Sequence, residues 1–517
     1  MVHFTYVSLV HALNRPPVYS RNDALPLLRE CTRSNASHLQ PTGTPSHLRV
    51  NMATALWVWQ NGTSQVDTFQ GGAMGPNGTC VLAGITEGPW AGPNSGGDDM
   101  AAVKLDAEGN ELWRYQLGVS GEPDDFHDVA IHQDGSVVLA GDLDDDFYVT
   151  KLDADGVVEW SYENVTTAND YALGMAMAED GSVVCVGTTD GSWDGDTNGG
   201  NDFAAFRLDG NGQEIWRYQN GTEEDELMLG AAMADGEMSV VVTGITYGDF
   251  NGSSNGDSDL VVVKLDAASG TEIWRYQAGT SLGDWSSRVA VAEDNSIVVS
   301  GYTEGSWVEA NAGLRDFMAV KLSSEGEELW RWQDGTAGDE VLSGVEIQAD
   351  GSILFAGTTA GDWDGPNAGE ADFVLVALSV DGEELWRWQD GTTGVDSCVM
   401  VAGSDGRVIL AGFTSGSWGE TNLGDYDFVA VMLDVPTSAT PAPSAMIRTS
   451  SASSITTSIA PTASPAPPVV GTPSPPPTNI PSAVNVAPPS TTPAPMALAA
   501  ALFFFVSFFS RIACEGC

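Results

Sequence analysis

Residues 328–382 read ELWRWQDGTAGDEVLSGVEIQADGSILFAGTTAGDWDGPNAGEADFVLVALSVDG, and residue 384 begins the same phrase again with ELWRWQDGT. The phrase returns, imperfectly, from residue 55 to residue 434. Its anchor is a tryptophan that occurs seven times, at Trp57, Trp113, Trp160, Trp216, Trp274, Trp330 and Trp386. The steps between these anchors are 56, 47, 56, 58, 56 and 56 residues. A period of this size, with several short strand patterns in each unit, predicts a β-propeller.

Each unit contains four segments with strand character. In the quoted unit they are Ser343–Gln348, Ser352–Gly357, Asp372–Leu378 and Glu384–Gln389. Short Asp-Gly turns join the first segment to the second and the third to the fourth, and a longer Gly/Trp/Asn loop joins the second to the third. The second and third segments are almost continuously apolar, which predicts burial on both faces. The fourth alternates, which places it at the outer rim.

The two ends of the repeated region predict how the ring closes. The first unit has only a fourth strand, and the last unit has only its first three strands, ending at Asp427–Asp434. The simplest solution is that the segment Ala55–Gln60 completes the seventh blade beside the last strand, which removes two open edges. We therefore predict an all-β, seven-bladed propeller of four-stranded blades over residues 51–435, closed by its own N-terminal strand.

The anchor tryptophans are predicted to wedge between neighbouring blades. Burying one indole removes ~200 Å² of mostly apolar surface. At ~25 cal/mol/Å² this amounts to several kcal/mol per blade contact as an upper bound. They are therefore interpreted as core residues and not as a platform for stacking a ligand.

The charge is strongly negative, with 20 Lys and Arg against 71 Asp and Glu in the whole chain. Residues 51–434 hold 13 of the basic and 68 of the acidic residues, which gives them a net charge of 13 − 68 = −55. Such a body repels nucleic acid and anionic membrane surfaces and attracts cations or basic partners. The same charge also keeps a repeat protein soluble, since charge runs are usually solvated faces.

The flanking segments differ from the repeats in composition. Residues 1–50 lack periodicity and are interpreted as a poorly ordered leader, and residues 436–495 are a Ser/Thr/Pro-rich stalk that cannot bury a core. Residues 496–517 contain an apolar run that resembles a GPI-type signal but ends in a polar stretch, so a short membrane anchor is the alternative. Six Asn-x-Ser/Thr sequons favour a secretory route, at Asn35, Asn61, Asn77, Asn164, Asn220 and Asn251. The N-terminus lacks the basic start of a signal peptide.

Cysteines and histidines give little support for catalysis. The three body cysteines, Cys80, Cys185 and Cys398, fall in strands of different units, so their spacing predicts no disulfide framework and no zinc site. Only His127 and His132 lie in the repeated region. No Ser-His-Asp spacing, HExxH, phosphate loop or Cys-x-x-Cys occurs, and carboxylate pairs are too common to select a site.

The units resemble a known repeat family. The stretch VVCVGTTDGSWDGDTNGGNDFAAFRLDGNGQEIW, Val183–Trp216, is similar to the SBBP-type propeller repeat, with its V-x-G-x-T, D-x-F and G-x-x-x-W elements. The resemblance covers nearly all of residues 51–435 and implies a propeller on an extracellular protein. The phrase KLDAEGNELW, Lys104–Trp113, also resembles the tryptophan-docking turn of quinoprotein propellers, which implies Trp between blades and carries no chemistry here.

The loop after the second strand is the candidate ligand site. In six units an aromatic residue and an Asp stand nine residues apart, which predicts one loop shape. One copy carries oxygen ligands with the spacing of a calcium loop, at Asp194, Asp196, Asn198, Gly200 (carbonyl) and Asp202. It is similar to the calcium loops of integrin-type propellers, and a weaker copy has Asn251, Ser253, Asn255 and Asp259. The alternative is that the loop folds without metal, as it must in units that lack these ligands.

An aspartate also recurs at the start of every third strand, at Asp99, Asp146, Asp202, Asp259, Asp316, Asp372 and Asp427. These residues either frame a cation-binding mouth or satisfy loop amides in each blade. The sequence favours two classes of function. The first is a monomeric, surface-displayed binding or adhesion module that recognises a glycan, a protein or a matrix component through loops on one face. The second is an extracellular hydrolase or lyase with an acidic site at the propeller axis.

Overall fold

The computed structural model describes residues 53–119, 123–164, 168–193, 198–251, 254–404 and 406–436. These residues form 28 β-strands and one short 3-10 helix, η1 Pro76–Gly78. Within these ranges no helix has the length and hydropathy needed to cross a bilayer. The leader, stalk and C-terminal anchor predicted for residues 1–50, 436–495 and 496–517 lie almost wholly outside the described residues.

The strands fall into seven four-stranded antiparallel sheets, the blades of a propeller. Blade 1 contains β2 Asp67–Met74, β3 Cys80–Thr86, β4 Asp99–Leu105 and β5 Glu111–Leu117. Blade 2 contains β6 Asp125–Ile131, β7 Val137–Leu143, β8 Asp146–Leu152 and β9 Val158–Asn164. Blade 3 contains β10 Asp170–Met177, β11 Val183–Thr189, β12 Asp202–Leu208 and β13 Glu214–Asn220.

Blade 4 contains β14 Glu226–Ala234, β15 Ser239–Thr246, β16 Asp259–Asp266 and β17 Glu272–Ala278. Blade 5 contains β18 Asp284–Val291, β19 Ile297–Thr303, β20 Asp316–Leu322 and β21 Glu328–Asp334. Blade 6 contains β22 Glu340–Ile347, β23 Ile353–Thr359, β24 Asp372–Leu378 and β25 Glu384–Asp390. Blade 7 contains β26 Asp396–Ser404, β27 Arg407–Thr414, β28 Asp427–Asp434 and β1 Thr54–Asn61.

The ring closes as the sequence predicts. Strand β1 pairs antiparallel with β28, from Thr54 opposite Asp434 to Asn61 opposite Phe428. Blade 7 is therefore built from both ends of the repeated region, and β28 has a partner on each side, with β1 as the outer strand of the blade. The seven-bladed, four-stranded architecture is confirmed.

The first strand of each blade lies next to the axis of the ring and is called the inner strand. The inner strand of blade 6 begins earlier than the sequence pattern indicated. In blade 6 the predicted start was Ser343, whereas β22 begins at Glu340 and continues past an irregularity between Leu342 and Gly344. Each of the seven inner strands carries the same bulge. A bulge interrupts side-chain alternation, which is why the period-two pattern hid the first part of the strand.

The anchor tryptophans lie between blades. Trp216 of blade 3 is buried in a cluster that includes Met228, Val242 and Val263 of blade 4. Its indole N–H donates to the carbonyl of Ala267 in the β16–β17 turn of the next blade at 2.8 Å. The corresponding indole–carbonyl hydrogen bond to the next blade is made at five more boundaries, by Trp57, Trp113, Trp160, Trp274 and Trp330. The predicted wedge is therefore present.

One glycine in each of these turns makes the tryptophan contact possible. Gly270 has φ +70, and a Cβ on it would lie 2.7 Å from Cε3 of Trp216. A side chain there would meet both a strained backbone and the indole. The turn sequence and the anchor tryptophan are thus two halves of one inter-blade contact.

The ring has two unlike ends. The end that holds the β-turns between first and second and between third and fourth strands is called the turn face, and it contains the tryptophan contacts. The opposite end, called the loop face, holds the long loops after the second strands and the turns that lead to each next blade. Five of the six loop aromatics are buried on this side beneath an arginine of the outer strand, as with Arg217 over Trp193 at 4.7 Å, whereas Trp418 of blade 7 is partly buried.

Candidate functional site

Seven buried carboxylates stand where the inner strands begin on the loop face, namely Asp67, Asp124, Asp170, Glu226, Asp284, Glu340 and Asp396. Glu226 shows their role. It accepts hydrogen bonds from the Thr222 backbone N–H at 2.6 Å, the Thr222 hydroxyl at 2.6 Å and the Thr246 hydroxyl at 2.7 Å. In blades 1, 4, 5, 6 and 7 the member of this carboxylate ring therefore ties the turn that enters the blade to the second strand.

The aspartates that start the third strands have a second structural role. Six of them accept from the side-chain amide of the outer-strand glutamine, as Asp202 does from Gln219 at 2.8 Å. The same glutamine accepts the backbone N–H of Trp193 at 2.8 Å. The residues that share this arrangement are Asp99, Asp202, Asp259, Asp316, Asp372 and Asp427. They hold the long loop in place in every blade that has one.

The candidate calcium loop is only partly described. Asp194 and Asp196 lie outside the described residues. The Asn198 backbone N–H donates to Asp202 Oδ2 at 3.3 Å, and Gly200 lies against Asp225, since a Cβ on it would meet that carboxylate. Burial raises the pKa of Asp202, while the hydrogen bonds from Gln219 and Asn198 lower it. The calcium assignment stays a prediction.

The weaker copy in blade 4 is arranged in the same way. The Asn255 backbone N–H donates to Asp259 Oδ2 at 3.0 Å, and Asn251 donates its side-chain amide to the carbonyl of Arg275 at 3.3 Å. Ser253 lies outside the described residues. Asp259 Oδ2 thus serves the loop amide, and the calcium assignment of this loop likewise stays a prediction.

Blade 2 departs from the other six near the axis. Its β7–β8 connection is a tight turn, with Asp144 and Asp145 at positive φ, where the others have the long loop. Leu143 replaces the threonine whose hydroxyl reaches the carboxylate ring in other blades. Asp125 pairs with Asp142 across β6 and β7, where blade 1 has Thr68 opposite Ile85.

His127 occupies the bulge of β6 and joins these carboxylates. Its Nε2 lies 2.7 Å from Asp142 Oδ1, and its Nδ1 lies 2.5 Å from Gln70 Oε1 in the bulge of blade 1. The ligand atoms of Asp125, His127 and Asp142 all lie within 4.8 Å of one another. His127 and Asp142 are buried and Asp125 is partly buried. Blade 2 therefore brings one imidazole and two carboxylates together beside the axis.

An arginine crosses the axis one level further from the loop face. Arg288 of blade 5 donates to the carbonyl of Leu229 in blade 4 at 2.7 Å, and its second nitrogen lies 3.5 Å from the carbonyl of Gln70 in blade 1. The carboxylate of Asp128 in blade 2 interacts electrostatically with Arg288. Burial raises the pKa of Asp128, and the positive charge of Arg288 lowers it. The guanidinium thus ties three blades together at the centre of the ring.

Glu346 marks the axis nearer the turn face. At its register position the other six inner strands have alanine, at Ala73, Ala130, Ala176, Ala232, Ala290 and Ala402. Burial raises the pKa of Glu346 to about 8. A single carboxyl therefore projects among small apolar side chains, where the charged form is poorly solvated.

On the loop face, the inner strands of blades 3, 4 and 5 place apolar side chains on one side of the axis. Tyr171, Leu227 and Leu229 are buried in one cluster there, and Tyr247 and Trp285 pack against it. Trp285 is half-buried and stacks on Tyr302, with ring centroids 5.6 Å apart. We call this cluster together with Gln70, Asp125, His127 and Asp142 the axial mouth. It combines the partly exposed rings of Tyr247 and Trp285 on one side with polar groups on the other, which is typical of binding sites.

The rim around the axial mouth is acidic. Burial and the neighbouring Asp98 and Asp425 raise the pKa of Glu87 to about 7. Burial likewise raises the pKa of Glu304, while the charge of Arg315 lowers it. Arg315 itself is buried in an ion pair with Asp339. The surface around the mouth therefore carries little uncompensated positive charge.

Comparison with known proteins agrees with the repeat architecture. Residues 57–255 match a repeat family described as outer membrane protein assembly factor BamB. This match covers less than half of the chain and includes blades 1 to 3. It agrees with the quinoprotein-type resemblance of Lys104–Trp113, and the SBBP-type assignment stays a prediction.

Two curated relatives are distant. The regulatory protein FlaEY of Caulobacter vibrioides is 23% identical over 376 residues, which cover 61% of this chain and 37% of that protein. XoxF of Paracoccus denitrificans, named as a dehydrogenase, is 25% identical over 187 residues, which cover 36% of this chain and 27% of that protein. The chain thus spans well under half the length of these relatives.

Two solved structures align with part of this chain. Hydrazine synthase of Kuenenia stuttgartiensis aligns with a TM-score of 0.44 and 13% identity, over 67% of this chain and 94% of that one. The Pan2 WD40 domain of Neurospora crassa aligns with a TM-score of 0.44 and 10% identity, over 73% and 95%.

Sequence reasoning missed the axial mouth. His127 was noticed only as one of two histidines in the body, and Asp125 and Asp142 were not singled out. The signal that could have found them is the short step of 47 residues between Trp113 and Trp160, which marks blade 2 as the exceptional unit. Register across the sheet, which places Asp142 opposite Asp125, needs the structure because the inner-strand bulge shifts the pattern.

Proposed function

We propose that the protein is a binding module whose ligand docks on the loop face at the axial mouth, and that the ligand is a basic segment of another protein. The single observation that carries this proposal is the axial mouth itself, with an aromatic half beside a polar half and an acidic rim. An apolar patch with a few convergent polar groups is the usual form of a recognition site. The acidic rim selects positive charge.

The contacts of the basic residues support a basic ligand. Of the thirteen Lys and Arg in residues 51–434, twelve hydrogen-bond or pair with groups of the propeller itself. The arginines of the outer strands are typical, since Arg275 lies over Phe250 and pairs with Glu272. The basic side chains are thus used internally, and the acidic groups of residues 51–434 outnumber them by 68 to 13.

Binding of matched peptides to the full chain tests the proposal. A basic amphipathic peptide, an acidic peptide of the same apolar residues and a neutral oligosaccharide serve as probes. We expect only the basic peptide to bind, with affinity that falls as salt rises. Glu87→Gln with Glu304→Gln should weaken it at least fivefold, whereas Glu325→Gln, in an exposed turn on the turn face, should not. Binding of the oligosaccharide alone would instead favour a glycan ligand.

The hydrolase or lyase remains a second candidate because His127 contacts Asp142 at 2.7 Å beside a third group, Asp125. An imidazole held by a carboxylate is a common general base. Turnover of a panel of glycosides and esters by the full chain, lost in His127→Gln, would support this function. Equal turnover by the variant would exclude His127 as its base.

Surface display and calcium binding are further parts of the proposal. Among the sequons, Asn77 and Asn251 are exposed, but the Asn251 side chain donates to the carbonyl of Arg275, Asn61 accepts the indole N–H of Trp90 and Asn220 donates to Tyr218. Glycosylation is therefore expected first at Asn77, and glycosidase-sensitive mass lost in Asn77→Gln would show it. Calorimetry of the full chain with Ca²⁺, against Asp196→Ala, tests the loop of Asp194–Asp202.

A further inference from the structure

We propose that Asp125, His127 and Asp142 bind a divalent transition-metal ion such as Zn²⁺. The site lies in blade 2, at the polar side of the axial mouth. It is separate from the candidate calcium loops, which belong to blades 3 and 4, and it does not depend on the proposed peptide ligand.

The first argument is register. The three residues occupy positions that every blade possesses. His127 is the bulged residue of the inner strand, Asp125 lies two residues before it, and Asp142 is the second-strand residue opposite Asp125. In the other six blades these positions hold no His, Cys, Asp or Glu. Their bulge residues are Gln70, Leu173, Leu229, Ser287, Ser343 and Val399, and their cross-strand pairs are Thr68/Ile85, Tyr171/Thr188, Leu227/Ile245, Trp285/Tyr302, Val341/Thr358 and Ser397/Phe413. Only blade 2 fills all three with metal-ligating groups.

The second argument is the orientation of the imidazole. Gln70 Oε1 lies 2.5 Å from His127 Nδ1, which leaves Nε2 directed at Asp142 Oδ1. A metal-binding histidine typically donates its other ring N–H to an oxygen that fixes the ring. Gln70 of blade 1 supplies that oxygen here, so the ligand nitrogen is fixed by a residue of the neighbouring blade.

The third argument is charge. A histidine held by one aspartate needs no second carboxylate, yet Asp125 places another within the same 4.8 Å cluster. Two carboxylates this close repel each other, and either a proton or a cation between them relieves the repulsion. Arg288 is directed at backbone carbonyls of blades 1 and 4, and its positive charge acts on Asp128. A bound cation would balance the pair.

The donor set indicates the kind of ion. One nitrogen and two carboxylate oxygens suit Zn²⁺ and related first-row ions better than Ca²⁺, which prefers six or more oxygens. Ligands ~2.1 Å from a tetrahedral ion lie ~3.4 Å apart. The His127–Asp142 contact of 2.7 Å must therefore lengthen on binding. Three protein ligands leave a fourth position for water or a ligand.

Metal titration of the full chain after treatment with a chelator tests the site. Co²⁺ absorption in the visible range and calorimetry with Zn²⁺ are the measurements. We expect one equivalent of ion to be lost, or its affinity to fall at least thirtyfold, in His127→Gln, which installs the blade 1 residue, and in Asp142→Thr, which installs the residue of blades 3 and 6. His132→Gln, which alters the other body histidine, should bind like the wild type.

The leader histidines are present in every variant, so only the difference between proteins matters. If His127→Gln and Asp142→Thr bind the same number of ions with unchanged affinity, the site does not exist. A thermal melt without metal confirms that each variant folds, and Asp125→Asn replaces any that does not. Loss of Zn²⁺ with peptide binding unchanged would uphold the site without bearing on the proposed function.

Discussion

Blade 2 and the other six blades are alike on the turn face and unlike on the loop face. Blade 2 keeps the inter-blade contact, since the Trp160 indole donates to the Gly210 carbonyl at 3.2 Å and Gly156 lies against Trp113. It lacks the long loop, and Leu143 replaces the threonine that reaches the carboxylate ring. The turn face therefore holds the ring together, while the loop face and axis are free to acquire other chemistry.

The largest expected effect is on closure. Deleting residues 52–60 removes β1 and leaves β28 of blade 7 without its outer partner. Loss of Trp57 and Trp59 alone should cost more than about 5 kcal/mol, since each Trp→Ala change in a core costs about 3–5 kcal/mol. We expect the cooperative thermal transition to be lost or shifted down by more than 10 °C, on the order expected from that free energy. Deleting residues 2–45, which keeps β1, is the control, and an unchanged melt of the first variant would refute the closure.

The next effect tests whether the tryptophan–glycine contact on the turn face stabilises blade 2 as much as it stabilises another blade. Gly156→Ala in blade 2 and Gly270→Ala in blade 4 each place a Cβ within 3 Å of an indole at positive φ. Each should lower the free energy of unfolding by about 3 kcal/mol, measured by denaturant titration. Gly351→Ala is the matched control, because Gly351 has φ +83 with no atom near its Cβ, and it should cost only about 1–2 kcal/mol. A much smaller loss at Gly156 than at Gly270 would show that blade 2 is not held like the others.

The pH dependence tests the loop face. Burial raises the pKa of Asp67 to about 6, with Thr86 and Thr63 lowering it and Asp427 raising it, and burial with Asp98 and Asp425 raises the pKa of Glu87 to about 7. Because these folded-state values exceed the ordinary ones, the folded protein binds protons more tightly than the unfolded chain. The free energy of unfolding should fall as pH rises through 6 and 7.

We therefore expect the melting temperature to be several degrees higher at pH 5.5 than at pH 8, an effect of about 2 kcal/mol. Asp67→Asn should flatten this slope in part. A melting temperature that rises between pH 5.5 and pH 8 would contradict the assignment of buried carboxylates on the loop face.

The smallest effect concerns the threonine that blade 2 lacks. Thr246→Val removes the hydroxyl that donates to Glu226 at 2.7 Å and should cost about 1 kcal/mol at pH 8, with a smaller cost at pH 5 where the carboxyl binds a proton more readily. Thr243→Val removes a hydroxyl bound to the Val261 carbonyl and should cost a similar amount at both pH values. Identical pH profiles for the two variants would mean that the hydroxyl does not stabilise the charged carboxylate.

The fold was largely accessible from the sequence, and the candidate site was not. The period of the tryptophans gave the blade number, and the missing strands at the two ends gave the closure by Ala55–Gln60. The start of the inner strand of blade 6 was placed three residues too late, at Ser343 in place of Glu340, because the bulge breaks the alternation there. The recurring aspartates, such as Asp202, were noticed, but their hydrogen bonds to the outer-strand glutamines were not.

The physical reason is the range of the contacts. Three features occur again in every unit: the strand pattern, the turns, and the contact of a tryptophan with the turn of the next blade. Because these features are local, the sequence alone determines the ring. The contacts of His127 join residues that stand 57 and 15 positions away, on two blades, and Arg288 reaches Gln70 across 218 positions. Only the closed ring brings these side chains to one axis, so what collects there was decided by the tertiary structure.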